Sequence, residues 1–326
     1  MRAYSILLLV ILVVGSVHYA FSNDLIKWPP WDNDNDGNDC QYTNQQDCEG
    51  AGCYWYDSLC HSEPYSPPPP PPEDEFVVIS SFTVTEKYIQ GVATDGTYIY
   101  VLCNGGGGGI GVLLKYSKTG TLVMSNMNMP EVEHPSDIAY KDGKIFVCDM
   151  EGWSSYNHAS AKTKVVTYDA ATLQYVQSHP NLADHWGEGI VWYQGSWWLS
   201  FHCCSILRKY DGNWGFQKQY DIEGHGGTEA TWSPGNGYQG IAFWRHNSKT
   251  YLGATVHRSV VGGPAFHIFE YTSDRFSLEK TVTTGPFIPN QGWCTNSDGS
   301  SAWLADRATS TRGVVANCRV DVLSPN

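Results

Sequence analysis

The sequence predicts an all-β fold: a five-bladed β-propeller closed by an N-terminal strand and preceded by a small disulfide-rich module. Three observations carry that expectation. From residue 76 onward, β-rich segments alternate with Gly, Asp and Asn turns and helical periodicity is scarce. Within the same stretch two short patterns recur at a period of roughly fifty residues, the length of one four-stranded blade. Finally, the chain ends at Asn326 before the last repeat can make its outer strand, while Val77 to Val84 is an unassigned β-rich segment just ahead of the first repeat.

Taken in order, residues 1–22 read as a secretory signal peptide. Arg2 precedes an apolar run from Ile6 to Val17, short for a membrane span, and small residues follow at Ala20 and Ser22. The mature chain is therefore expected to be secreted or displayed at the cell surface and not to span the membrane. Ten Cys in an exported chain suit disulfide pairing, and no C-x-x-C pair suggests zinc.

Residues 23–39 form an acidic Asp/Asn-rich segment. Asp32, Asp34, Asp36 and Asp39 alternate around Gly37 in the manner of a calcium-binding loop, although Thr43 occupies the twelfth position, where a bidentate Glu belongs. Calcium there is one reading and a solvated acidic linker the other. Residues 40–62 hold Cys40, Cys48, Cys53 and Cys60 around Gly52-Cys53-Tyr54-Trp55-Tyr56, too short a stretch to bury a core without cross-links. This pattern resembles the PSI-type cysteine-rich modules of extracellular receptors, with Tyr56 where that family usually has a further Cys. The resemblance implies a spacer or docking knob. In residues 63–75 the run Pro67 to Pro72 adopts polyproline II and spans roughly 20 Å at ~3.1 Å per residue, a stiff spacer ahead of the propeller domain, 76–326.

The first recurring pattern opens a strand with a polar residue and a small one: Gln90-Gly91, Ser136-Asp137, Glu188-Gly189, Gln239-Gly240 and Gln291-Gly292. The second is an apolar strand carrying Tyr: Leu114-Lys115-Tyr116, Val166-Thr167-Tyr168, Arg208-Lys209-Tyr210 and Phe269-Glu270-Tyr271, with Ala316-Asn317-Cys318 as a degenerate fifth. Turns at Asp95-Gly96, Asp142-Gly143, Gln194-Gly195 and Asp298-Gly299 separate the first pattern from a second strand. Leu122 to Ser125, Tyr175 to Gln177, Phe216 to Tyr220 and Ser277 to Val282 supply four outer strands, and Val77 to Val84 the fifth. A β-sandwich is the competing architecture, but it does not call for two interleaved patterns at one period.

In a propeller, the starts of the innermost strands and the ends of their partners converge on one opening. The candidate ligand site is accordingly Gln90, Glu188, Gln239 and Gln291 with Ser136, joined by Asn104, Asp149, His202, His257 and Asp306 at the ends of the second strands, and by His185 and Trp186 from a loop. Three chemistries suit such a mouth. Amides and flat rings, including Trp153, Tyr156 and Trp197-Trp198, suit saccharide hydroxyls and apolar sugar faces. The carboxylates Glu188, Asp149 and Asp306 offer the acid and base of a polysaccharide hydrolase or lyase. With Asn104 they are also hard oxygen ligands for calcium. Trp192-Tyr193-Gln194-Gly195-Ser196 followed by Ile206-Leu207-Arg208-Lys209-Tyr210-Asp211 resembles one blade of the olfactomedin-type five-bladed propellers, and that resemblance implies a calcium-lined tunnel. Cys103 and Cys148 are expected at equivalent positions of successive blades. The Gly105 to Gly109 run lacks the Lys-Ser/Thr and helix of a phosphate loop and reads as a surface loop.

The leading expectation is a secreted or cell-surface binding protein that recognises a glycan or protein through one face of the propeller; an extracellular hydrolase or lyase and a structural subunit are the alternatives. Net charge sharpens the choice of partner. The chain carries −13, but residues 23–75 hold 12 acidic residues and one Lys, leaving residues 76–326 at −3. The propeller has no visible basic cluster for a nucleic acid, and its amide-rich face favours an uncharged partner.

Overall fold

The computed structural model describes residues 54–56, 59–61, 76–86, 88–104, 110–152, 162–202, 204–222, 237–259, 263–282, 292–296, 301–306 and 314–320. Outside them lie the expected signal peptide, the acidic segment with Asp32, Asp34, Asp36 and Asp39, and the proline-rich linker. The same holds for the Gly105 to Gly109 loop, Trp153, Tyr156 and Gln291. The chain divides into two units, Met1–Pro69 and Pro70–Asn326. In the first, β1 (Tyr54–Tyr56) and β2 (Leu59–His61) form an antiparallel pair with Trp55 opposite Cys60.

The second unit is a five-bladed β-propeller built from four-stranded antiparallel sheets. Blade one comprises β4 (Ile89–Thr94), β5 (Tyr98–Asn104), β6 (Gly111–Ser117) and β7 (Leu122–Met129); blade two comprises β8 (Pro135–Lys141), β9 (Lys144–Glu151), β10 (Lys162–Asp169) and β11 (Tyr175–Ala183). Blade three holds β12 (Gly187–Tyr193), β13 (Ser196–Phe201), β14 (Cys204–Tyr210) and β15 (Phe216–Asp221), and blade four β16 (Gly237–His246), β17 (Lys249–Ser259), β18 (Gly263–Thr272) and β19 (Arg275–Val282). The fifth sheet runs β20 (Trp293–Thr295), β21 (Ala302–Asp306), β22 (Val314–Val320) and then β3 (Phe76–Thr83), with Val315 opposite Phe82. The innermost strands meet in cyclic order, β4 to β8 to β12 to β16 to β20 and back to β4.

Local chemistry sets the hairpins. Asp142-Gly143 and Gln194-Gly195 both take positive φ at each central residue, the turn whose twist matches that of the flanking strands. Blade four makes the same turn with Asn247-Ser248, a site that carries no glycine signal. In blade one Asp95 supports the turn differently, its Oδ1 accepting from the amides of Thr97 and Tyr98 at 2.7 and 2.6 Å.

Burial runs radially. Strands β4 and β5 are almost wholly buried, whereas β7 and β19 are exposed along most of their length. The apolar side chains collect in five inter-blade layers. Tyr100 meets Ile138 and Val147 between blades one and two, Phe146 meets Trp197 between two and three, and Trp198 meets Phe243 between three and four. Trp244 meets Trp293 between blades four and five, and Trp303 meets Val101 between five and one. Trp197 and Trp198 are therefore interior packing and not a saccharide platform: each is 1% exposed, on opposite faces of β13.

The expectation of general disulfide pairing does not hold for Cys103, Cys148 and Cys294, which are thiols. Nor are Cys103 and Cys148 equivalent. Cys103 pairs across from Ile89, but Cys148 pairs across from Asp137, one step nearer the hairpin, so the two face opposite sides of their strands.

Candidate functional site

Each described inner strand of blades one to four slips register at the recurring polar-small pair. The slips fall between Ile89 and Gly91, Pro135 and Asp137, Gly187 and Ile190, and Tyr238 and Ile241. Such bulges take residues out of the ladder and turn their backbone groups toward neighbours. The neighbours here are other blades. Gly292 N donates to Gln90 O at 2.7 Å, joining blade five to blade one. Ser200 Oγ accepts from Gly189 N at 2.9 Å and donates to Tyr238 O at 2.7 Å, joining three to four. Ile190 N donates to Asp137 Oδ2 at 3.3 Å, joining three to two. The close approach requires small residues: a Cβ at Gly189 would meet Ser200 Oγ at 2.5 Å and Gln239 O at 3.0 Å.

Gln90, Ser136, Glu188 and Gln239 occupy the matching position in four blades, and all are buried. The opposite strands end beside them. Asn104 N donates to Tyr88 O, Met150 N to His134 O and His202 N to Trp186 O, while His257 pairs with Gly237. These contacts bring Asn104, His202 and the backbone of His257 to the same end of the ring.

The register divides the expected second set. Asp149 lies opposite Pro135, a position equivalent to Cys103 opposite Ile89 and Phe201 opposite Gly187, one residue before the one level with Asn104 and His202. Its side chain accordingly takes an interior direction and is 0% exposed. Asp306 follows Ala305, whose amide bonds Gly292 O, which gives its backbone the pairing position of Asp149; the side chains of Asp306 and His257 lie outside the described residues.

Asp149 is closely engaged. It accepts from the amides of Glu133 (3.1 Å) and His134 (2.7 Å) and sits 3.3 Å from Lys164 Nζ. Lys164 in turn faces Glu151 at 3.7 Å and Glu133 at 3.9 Å. Burial pushes the Asp149 carboxyl up to about 6, against the pull of Lys164 and the two amides. A carboxylate committed to that many donors supports the loop before β8 and has little left for a substrate.

Glu188 is placed differently. Its side chain is 3% exposed, and Oε1 shares a 2.6 Å hydrogen bond with His202 Nδ1, while the His202 side chain remains 25% exposed. The Trp186 ring lies beside the imidazole with centroids 5.6 Å apart and tilted planes. A recessed carboxyl thus orients a part-exposed histidine, an arrangement fit for hydrogen bonding to a ligand or for moving a proton. Nearby, Asn104 Nδ2 bonds His134 Nδ1 at 3.1 Å, and Asn104 Oδ1 accepts no hydrogen bond from the described residues. His185 is buried, its ring edge-on to Phe201 and its carbonyl accepting from Thr163 Oγ1. Among the described residues, no group of three or more His, Cys, Asp and Glu side chains is placed to hold a metal ion.

One residue escaped the sequence reading. Asp137 is 0% exposed and stands where the other four blades carry glycine, with Oδ1 against Gly91 and Gly292. Burial pushes its carboxyl well up; the amides of Ile138 and Ile190 pull it down, and Glu188 raises it further. The signal was present in the recurring pairs, where Asp alone breaks a column of Gly.

A scan against protein families finds no match for this chain, and a search of curated proteins finds none either. Solved structures do resemble it. Myxococcus xanthus glutaminyl cyclase aligns at 10% identity and a TM-score of 0.49, covering 75% of this chain and 95% of that one. A streptogramin B lyase aligns at 12% identity and a TM-score of 0.40, covering 75% and 98%. The RRP9 WD40 repeats align at 8% identity and 0.43, covering 74% and 97%.

Proposed function

We propose that the propeller is a binding domain that recognises a neutral glycan at the end of the ring where Glu188 and His202 lie. The observation that carries this reading is the Glu188–His202 pair: a buried carboxyl holding a part-exposed imidazole beside Trp186. The part-exposed imidazole supplies a donor and an acceptor for a hydroxylated ligand, and the buried Trp186 ring backs it from below. An extracellular protein bearing similar groups is the alternative ligand. A hydrolase or lyase has weaker support, because Asp149 is consumed by Lys164 and two amides, leaving Glu188 without a second described carboxylate free to act.

The same proposal includes export and display. The apolar run Ile6 to Val17, the cysteine spacing and the proline run support a cleaved signal peptide, a PSI-like cross-linked module and a stiff stalk. Pairing of β3 with β22 supports closure of the ring by the N-terminal strand. An array of immobilised neutral and acidic glycans, probed with the labelled protein, tests the reading. Saturable binding to neutral glycans that falls about tenfold or more in Glu188→Gln and His202→Ala, the loss of one or two hydrogen bonds, is expected. Release of reducing ends from a bound polysaccharide would instead favour the hydrolase.

A further inference from the structure

Asp137 is the one carboxyl set among the inner strands at the column otherwise occupied by Gly91, Gly189, Gly240 and Gly292. Its side chain belongs to blade two, yet Oδ1 abuts Gly91 of blade one and Gly292 of blade five, and Oδ2 takes Ile190 N of blade three. A Cβ on Gly91 would lie 2.7 Å from Oδ1 and 2.8 Å from Ile138 N, and one on Gly292 would run into Oδ1. The two glycines are thus the room into which the carboxyl fits. Three neighbouring blades meet on this single side chain.

Among the described residues no cationic group acts on it. The titratable groups that face it are Glu188 on β12, Cys148 directly across on β9, and Cys294 on β20. Strand β4 of blade one brings none. Oδ1 has no hydrogen-bond partner among the described residues. A fully buried carboxylate beside acidic neighbours, with only the amides of Ile138 and Ile190 to offset its charge, is costlier than the neutral acid in the same place. The Gln90 carbonyl, which accepts from Gly292 N at 2.7 Å, borders the same spot.

We infer that Asp137 carries a proton and serves as a neutral pin at the convergence of the blades, holding through Ile190 N the bulge that positions Glu188 against His202. Ile190 follows Glu188 by two residues, so the bond to Oδ2 fixes the backbone from which Glu188 projects. A neutral pin also keeps a second negative charge away from Glu188. The positioning half rests on Glu188 and His202 being the recognition pair; the proton half does not, and it is tested without any ligand.

The sign follows from linkage. The folded state holds this proton above the range in which the unfolded chain, with an Asp near 3.9, has released it, so stability falls as pH rises through that window. The contribution is a tenfold drop in the folding equilibrium constant per pH unit, the signature of one proton. The experiment is chemical denaturation of the full chain from pH 4 to pH 8, comparing wild type with Asp137→Asn, which is neutral and keeps an oxygen for Ile190 N. The expected result is a wild-type profile steeper by one proton over the lower part of that range, with Asp137→Asn as stable as wild type or more so at pH 7. Parallel profiles with Asp137→Asn less stable at pH 7, or a wild-type melting temperature that drops on adding EDTA, would overturn the inference in favour of an ionised, cation-bound carboxylate. The positioning role is read by NMR of the His202 ring. Asp137→Asn should leave the Nδ1 shift and titration midpoint of His202 as in wild type, and Asp137→Gly should move the Nδ1 shift toward that of Glu188→Gln. An unchanged His202 in Asp137→Gly would refute the positioning role while leaving the proton untouched.

Discussion

Replacing Lys164 by Met is expected to cost stability through charge, and to do so in a pH-dependent way. Lys164 and Asp149 are both buried, their Nζ and Oδ2 are 3.3 Å apart, and Asp149 is 0% exposed. Removing one partner of a buried ion pair typically costs ~3–5 kcal/mol, because the remaining charge is left uncompensated. The neighbouring contacts to Glu133 and Glu151, whose side chains are 50% and 34% exposed, add little. Against a total stability of ~5–15 kcal/mol for a native domain, such a loss leaves the variant marginal at pH 8. Asp149 has an escape, since protonation removes the stranded charge. In the wild type its carboxyl titrates near 6 when folded and ~3.9 when unfolded, so this group's stabilisation is greatest below pH 4 and declines up to about pH 6. Without Lys164 that upper limit moves higher, and acid restores stability at ~1.4 kcal/mol per pH unit. Urea denaturation at pH 5 and pH 8 should therefore show Lys164→Met much closer to wild type at the lower pH. Equal losses at both pH values, or a loss under ~1 kcal/mol at pH 8, would show that Lys164 does not offset the Asp149 charge.

Other perturbations probe the ring and the site. Gly189→Ala should destabilise by ~1–3 kcal/mol through contact with Ser200 Oγ and Gln239 O, whereas Gly96→Ala, which meets open space, should cost only about 1 kcal/mol for its φ of +85°; both are read by denaturation midpoints. Trp198→Ala should cost ~3–5 kcal/mol, as the ring fills the layer between blades three and four; a fall in melting temperature with no change in glycan binding would place it in the core alone. Asp274, which accepts from Lys218, Tyr220 and Tyr271, has its carboxyl held well down, chiefly by Lys218 and Tyr220. Its contribution is present above about pH 4 and lost as pH falls further, so Asp274→Asn should flatten the acid limb of the stability profile. Deleting residues 70–84 removes the strand paired with β22 and should yield aggregation, seen by light scattering; a soluble, cooperatively melting product would contradict closure by that strand.

The architecture was legible because most blades repeat two signals that physics requires. Small residues stand where inner strands crowd, as at Gly91, Gly189 and Gly292, and a buried Tyr anchors the third strand, as at Tyr116, Tyr168 and Tyr210. Observed outer strands run longer than expected, for instance Tyr175–Ala183 against Tyr175 to Gln177, because polar residues and Pro180 break any apolar alternation before the strand reaches the buried Ala183. The ring positions of the candidate residues were legible to within one residue. Measured from Gly91 to Asn104 and from Gly189 to His202, the same step from Asp137 lands on Met150, so Asp149 belongs to the interior register; polarity at the strand end outweighed the count. In blade five a longer hairpin hid the same shift at Asp306. What sequence could not reveal was pairing of side chains, such as Glu188 with His202 or Lys164 with Asp149, since these depend on bulges and rotamers and not on spacing.

The central claim is that Glu188 and His202 form the recognition centre. It is tested most directly by titrating a neutral glycan, taken from the array, into wild type, His202→Ala and Glu188→Gln by calorimetry at pH 7. The prediction is saturable binding by wild type, a loss of about tenfold or more in both variants, and unchanged melting temperature in His202→Ala. Equal affinity in all three proteins would contradict the account.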